Sequence, residues 1–506
     1  MRFGATHAQV SLPALAVALP SLALYCATLM PDVGFWDTAE FQTVGPVLGL
    51  AHPTGYPAFT LLAWLASVVF APLGNEALRA NLLSAVLGAG AAGLVTATVA
   101  LLTRRWLIAV GAGAALALSS EAWRVSLHAD PHALHLFLVA LLLFVLAVWS
   151  ERVTAAEPAD RWLVAAAIVF GVALGNHALT FLLVPGIALL LLIVQPGLLR
   201  QPRLVLGCAA ALAATTVAFY LYLPIRSAMN PPLDYANPQT WDGFRYLVFA
   251  EQFRGSFQAP PDLLTGLSFV AGTSLIELGL IAVVAALGVV AAWTRRPGMV
   301  VLLLGWLVVG WLFALVYVNA DIGRYYLVPL LSLAVLGGLG ADALWDMAAA
   351  SIRGRLSRMA MAAAGAVILL SPLTFVVAGR YAEVDESHDT GGRDWLSAMV
   401  ERLPPNALVI SWWSYSTTLW YGQYAEGLRP DVTVIDDSTI VQEGLGDAQQ
   451  VIDDNLGLRP VYLIRLGTDM PRYEQRYTLT IMPDIPSGDP VYRVDGRRTS
   501  AQVPNL

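Results

Sequence analysis

Long apolar runs separated by short polar breaks fill the chain from residue 11 to residue 379, and the pattern then changes. The runs lie at about 11–30, 80–102, 106–120, 132–150, 162–177, 178–194, 204–223, 265–293, 299–318, 326–347 and 359–379. About 20 apolar residues cross a bilayer, and a helix is the form that satisfies its own backbone there. The pattern therefore predicts eleven spanning helices. The third run is short, and Gly175-Asn176-His177 parts two half-length runs. From residue 380 the texture is that of a soluble domain. Ala407–Ile410, Val432–Ile435 and Val461–Ile464 read as short buried strands, with helices expected at 414–425 and 446–455. That alternation predicts βαβ units and a parallel sheet. The expected division is 1–379 in the membrane and 380–506 outside it, an α-helical polytopic protein with a C-terminal α/β domain.

Composition strengthens the membrane assignment. The chain is 57% hydrophobic and 13% charged, about half the charged fraction of a soluble protein, and its mean hydropathy is +0.64. All 29 basic residues are arginine, which excludes Schiff-base lysine chemistry and a P-loop. A net charge of −7 argues against nucleic acid. Cys26 and Cys208 both sit in apolar runs, so a disulfide framework or thiolate metal site is not expected. The run 11–30 reads as a retained helix rather than a signal peptide.

Arginines set the expected orientation. If 55–72 lies in the interface without crossing, the clusters at Arg2, Arg104-Arg105, Arg152 with Arg161, Arg200 with Arg203, Arg295-Arg296 and Arg353 to Arg358 share one side. That is the positive-inside pattern. The loop 31–79, the turn 120–131, the loop 224–264, the turn 319–325 and the domain 380–506 then face outward. The lysine-free, alanine- and arginine-rich composition suggests a bacterial genome rich in G and C, hence the inner membrane and a periplasmic domain.

The polar residues of chemical interest gather in those outward segments. Asp37 and Glu40 are spaced i, i+3, on one face of a helix that His52-Pro53 and Tyr56-Pro57 should end. They read equally as a capping box, Asp at the N-cap and Glu at N3. Asp130 before Pro131 reads as an N-cap. With His128, His132 and Asp37 it could also hold a divalent cation, although no residue is assigned to a metal and no other cofactor is expected. Arg226 and Arg324 stand on the outward side against the charge trend. They either snorkel, with Asp321 as a partner for Arg324, or bind an anion through their forked guanidinium. The Trp412-Trp413 and Trp420-Tyr421 clusters either stack on sugars or dock the soluble domain, docking being the simpler reading. Asn176 and His177 read first as polar packing within the bundle.

The segment Asp37-Thr-Ala-Glu40 followed by Ala51-His-Pro-Thr-Gly-Tyr-Pro57 resembles the GT-C superfamily of integral-membrane glycosyltransferases. It is closest to the branch with the animal transmembrane O-mannosyltransferase acting on plexin-type receptors and its bacterial relatives. Gly74-Asn75, Arg79 to Ser84, Gly175-Asn176-His177, Tyr222 to Arg226, Asn230-Pro231-Pro232 and Asn237 to Thr240 extend the likeness over about residues 10–345. Trp36 stands before the Asp, where relatives are richer in glycine. The resemblance implies transfer of a monosaccharide from a polyprenyl-phosphate carrier to a hydroxyl on protein, glycan or lipid at the outer face, with inversion. It implies Asp37 as the base toward the acceptor, with Glu40 beside it and Asp130 orienting the acceptor. Arg226 and Arg324 are the candidates for the departing phosphate. His52, Tyr56, Tyr325, His128, Asn176 and His177 complete the candidate substrate contacts. A transporter or flippase would need ionisable groups near the midplane; a non-catalytic scaffold would keep the acidic pair without binding a donor.

Overall fold

A computed structural model describes residues 7–258, 262–351, 379–486 and 488–498. Among these, six helices are long and apolar enough to cross a membrane: Ala8–Ala27, Glu76–Thr103, Pro131–Thr154, Pro202–Ser227, Pro297–Val316 and Ile322–Ala350. A bent pair raises the number to seven. The expected count of eleven is not reached for physical reasons. The 106–120 run yields only the short helix Trp106–Ala117, and 178–194 begins as a 3-10 turn at Ala178–Leu183 before an α-helix over Val184–Val194. The 265–293 run is broken into Leu263–Leu278 and Leu280–Trp293, which meet at 109°. Gly279 makes that corner at φ 56°, ψ −136°, a region open essentially to glycine alone. The expected span 359–379 lies outside the described residues apart from its last position.

Small residues let the helices approach. A Cβ on Gly288 would collide with the Leu336 carbonyl, and one on Gly340 with that of Val284, so Leu280–Trp293 lies directly against Leu327–Ser351. Helices Glu76–Thr103 and Pro131–Thr154 form the centre of the bundle, while the apolar stretch of Pro202–Ser227 buries nothing and is peripheral. Helix Pro57–Val69 has 13 residues, about 20 Å at 1.5 Å per residue and short of a span.

The C-terminal region holds a five-stranded sheet. Strands β1 (Leu408–Ile410), β2 (Thr433–Ile435) and β3 (Val461–Ile464) are parallel, as their apolar runs predicted. Strands β4 (Tyr477–Ile481) and β5 (Val491–Arg497) add an antiparallel edge, giving the order β2-β1-β3-β5-β4. The sheet's core is continuous with the first loop of the bundle: Trp395, Met399, Tyr415 and Tyr421 bury together with Val33, Ala39 and Ala77. Arg393 joins Asp32 and Glu426, and Thr418 donates to the Gly34 carbonyl at 2.9 Å. The segments expected to share one side therefore do meet at one end of the bundle.

Candidate active site

The first loop folds into helix Trp36–Val47, and its start decides what Asp37 and Glu40 can do. Phe35 occupies the N-cap without a side-chain cap bond, so the capping box does not form. The helix ends at Val47, where Leu48 turns left-handed at φ 50°, well before the prolines expected to end it. Asp37 lies in the first turn. Glu40, a turn later, is 2% exposed. It accepts the His52 backbone N–H at 2.8 Å and meets His52 Nδ1 with its other oxygen, closing the 48–56 turn onto the helix.

Asp37 faces a cavity of about 560 Å³. Trp413, from the start of helix Trp413–Trp420 after β1, donates its Nε1–H to Asp37 Oδ1 at 2.8 Å. Arg324 reaches Asp37 at 3.4 Å, Asp130 at 3.2 Å and Asp321 at 3.1 Å. Asp321 is the exposed partner of the three, 63% accessible. The polar end of the cavity also has His52, Tyr56, His132, His177 and Tyr325; Leu179, Leu182, Phe253, Phe257 and Phe313 make an apolar wall.

Burial alone would raise the Asp37 pKa, but His52, Arg324 and the Trp413 bond outweigh it and hold the carboxyl below its ordinary value. Asp130 is likewise held low, Arg324 and His132 overcoming its burial. Burial would lower His52; Glu40 first and Asp37 second push it up instead, to about 9. At neutral pH the site thus holds an ionised Asp37 between two cations.

Other expected residues sit elsewhere. Arg226 is outside this cavity: its guanidinium donates to the carbonyls of Leu48 at 2.7 Å and Val47 at 3.0 Å, closing the C-terminus of the Asp37 helix. These orphan carbonyls attract a cation, and that holds Arg226 away from the place expected for a phosphate. Asp130 is 1% exposed and caps its helix: it accepts from the His132 N–H at 2.7 Å and pairs with the His132 ring and Arg324, so it meets the cavity through those two residues. His128 turns to Glu386 at 2.9 Å, and Asn176 donates to the Pro131 carbonyl. The set His128, Asp130, His132 and Asp37 does not converge for a cation. Among the described residues the converging donors are instead Asp37, Glu40 and His52, within 4.8 Å of one another, with Glu40 and His52 already paired. Sequence reasoning did not foresee that Trp413 would hold Asp37; its only signal was an aromatic cluster at the end of a predicted strand.

With this geometry in place, likeness to known proteins can be weighed. A family model, the Protein O-mannosyl-transferase TMEM260 N-terminal domain, matches residues 37–198 and starts at Asp37 itself. The chain is 28% identical over 463 residues to Protein O-mannosyl-transferase TMEM260 of Mus musculus, covering 85% of this chain and 63% of that protein. The chain is thus similar to that protein over most of its own length. The chain spans less than two thirds of that mouse relative. ArnT from Cupriavidus metallidurans, solved bound to undecaprenyl phosphate, superposes with TM-score 0.63 at 14% identity over 99% of this chain and 100% of ArnT. The oligosaccharyltransferase AglB from Archaeoglobus fulgidus, solved with an inhibitory peptide and a dolichol-phosphate, gives 0.54 at 15% identity over 94% of this chain and 74% of AglB. The fold of the chain is that of ArnT and AglB.

Proposed function

We propose that the protein is a membrane glycosyltransferase that moves a monosaccharide from a polyprenyl-phosphate carrier to an acceptor hydroxyl at the outward face, with inversion, Asp37 taking the acceptor's proton. The observation that carries this reading is an ionised Asp37 at the polar end of a half-apolar cavity, with Arg324 alongside. The apolar wall suits a polyprenyl chain, and carriers of that kind are named with the ArnT and AglB structures. The TMEM260 name points to mannose and a protein acceptor; glycan and lipid acceptors fit the same chemistry.

The residues divide the work physically. Asp37 is held charged, so it can accept a hydrogen bond from the attacking hydroxyl and take the proton as the new bond forms. Trp413 fixes its other oxygen. Arg324 has three carboxylates around it before the donor binds, and Asp321, the exposed one, is the partner a phosphate can replace. The guanidinium then faces the charge that grows on the leaving phosphate. Glu40 and Asp130 are positioning residues: Glu40 holds His52 charged, and Asp130 holds Arg324 and His132. With those two carboxylates engaged, Asp37 acts alone at the reacting carbon, which favours single displacement over a covalent sugar intermediate. His52, Tyr56, His177 and Tyr325 shape the sugar end.

The test is release of free carrier phosphate by purified protein from a panel of polyprenyl-phosphate monosaccharides, comparing wild type with Asp37→Asn. Wild-type release with a loss of about 10²–10⁴ in the variant is expected for a general base. Release by both alike would move the base elsewhere, and release by neither, with acceptors supplied, would remove the reading.

A further inference from the structure

A second cavity of about 330 Å³ lies behind Trp413, between the loop at 231–235 and the ends of β1 and β2. That is within the range of about 300–1,000 Å³ typical of small-ligand sites. Trp413, Tyr235 and Ser438 line both cavities, which therefore adjoin. The two are opposite in character. The first contains Arg324 and Arg254. The second is lined by Asp234 and Glu443, by Asp436, whose Oδ1 accepts from Thr439, and by Glu40, whose oxygens are taken by His52; among the described residues no basic side chain lines it. Asp234 Oδ2 accepts from Ser227 Oγ at 2.8 Å, and its buried Oδ1 has no hydrogen-bond partner among the described residues. Trp420 and Tyr424 supply aromatic surface, and Thr439 and Gln442 supply hydroxyl and amide groups.

An anion would be repelled by this lining. A ligand with many hydroxyl donors and an apolar ring face suits it: hydroxyls donate to carboxylates in charge-assisted bonds, and C–H faces lie on the aromatic rings. We propose that the second cavity binds a neutral saccharide, the non-reacting part of the acceptor. The assignment rests on the transfer reading for the word acceptor, but binding itself does not require turnover. An occupant would touch the indole whose N–H holds Asp37, so acceptor binding would stiffen the base.

The experiment is a tryptophan-fluorescence titration of the full-length protein in detergent, using wild type and Asp37→Asn. The probes are a neutral methyl mannoside disaccharide, the same disaccharide ending in glucuronate, and a neutral serine- and threonine-containing peptide. Saturable binding of the neutral disaccharide in both proteins is expected, at least tenfold weaker for the glucuronate form. Tyr424→Ala and Glu443→Gln, both at exposed positions, should each weaken it at least fivefold. No saturation by the neutral disaccharide, equal binding of the acidic one, tighter binding of the peptide, or indifference to both substitutions would each overturn the proposal. Saccharide binding without carrier release would support this cavity while removing the transfer reading, so the two fail separately.

Discussion

Glu40→Gln tests the electrostatic core of the site. Both Glu40 oxygens go to His52, and the carboxylate is the strongest influence pushing the buried ring from 6.5 to about 9. A rise of that size corresponds to about 3 kcal/mol in favour of the charged ring in the folded protein. A folded-state pKa above the unfolded one fixes the sign. The contribution is present in full below about pH 6.5 and is lost as pH climbs through 9. Glutamine keeps an oxygen for the His52 N–H but removes the charge. The variant should therefore be less stable than wild type by up to about 3 kcal/mol near pH 6. The gap should close by about pH 9.5, where the wild-type ring is neutral too. Thermal unfolding midpoints of both proteins in one detergent, at one scan rate and several pH values, measure this. A gap that stays constant from pH 6 to 9.5 would refute charge pairing and leave only lost packing. Carrier release by the variant should fall most on the alkaline side, as His52 discharges earlier and leaves Asp37 with one cation fewer.

Asp321→Asn should tighten donor binding, because the exposed competitor for Arg324 is weakened, whereas Arg324→Gln should weaken it at least tenfold; equal donor KM in both would take Arg324 away from the phosphate. Trp413→Phe removes one hydrogen bond to Asp37, about 0.5–1.5 kcal/mol, and should lower kcat roughly threefold to tenfold with little change in donor KM; an unchanged kcat would show that the bond does not orient the base. Arg226→Ala should destabilise the fold by about 1–2 kcal/mol through two carbonyls left uncapped, while donor KM stays at the wild-type value; a selective rise in donor KM would return Arg226 to the phosphate.

The sequence carried some of this directly. The aliphatic runs of β1 and β3 were legible because these inner parallel strands are buried throughout and leave an unbroken apolar signal; the run of β2, a half-exposed edge strand, was legible from its β-branched residues. Asp130-Pro131 became an N-cap and N1 because both are set by a single peptide's geometry. The antiparallel strands β4 and β5 escaped notice: β4, at the edge, is partly exposed and mixes Thr with Leu, so it lacks a continuous apolar run. Apolar length alone does not register the corner at Gly279, which breaks one of the expected spans among the described residues. The distance between partners hid the rest. Nothing near residue 37 announces Arg324 or Trp413, and Arg226 looked like an anion site until its carbonyl partners were in view.

Trp413 meets Asp37 across 376 residues of chain. During synthesis the Asp37 helix and the bundle around it are made long before the indole that fixes the carboxylate exists. A nascent chain can therefore insert and bury its helices, and bring Arg324 to Asp37, before the second partner of that carboxylate exists. The last partner of Asp37 arrives only when β1 has formed and carried Trp413 into place, so the carboxylate completes its set of contacts late in synthesis.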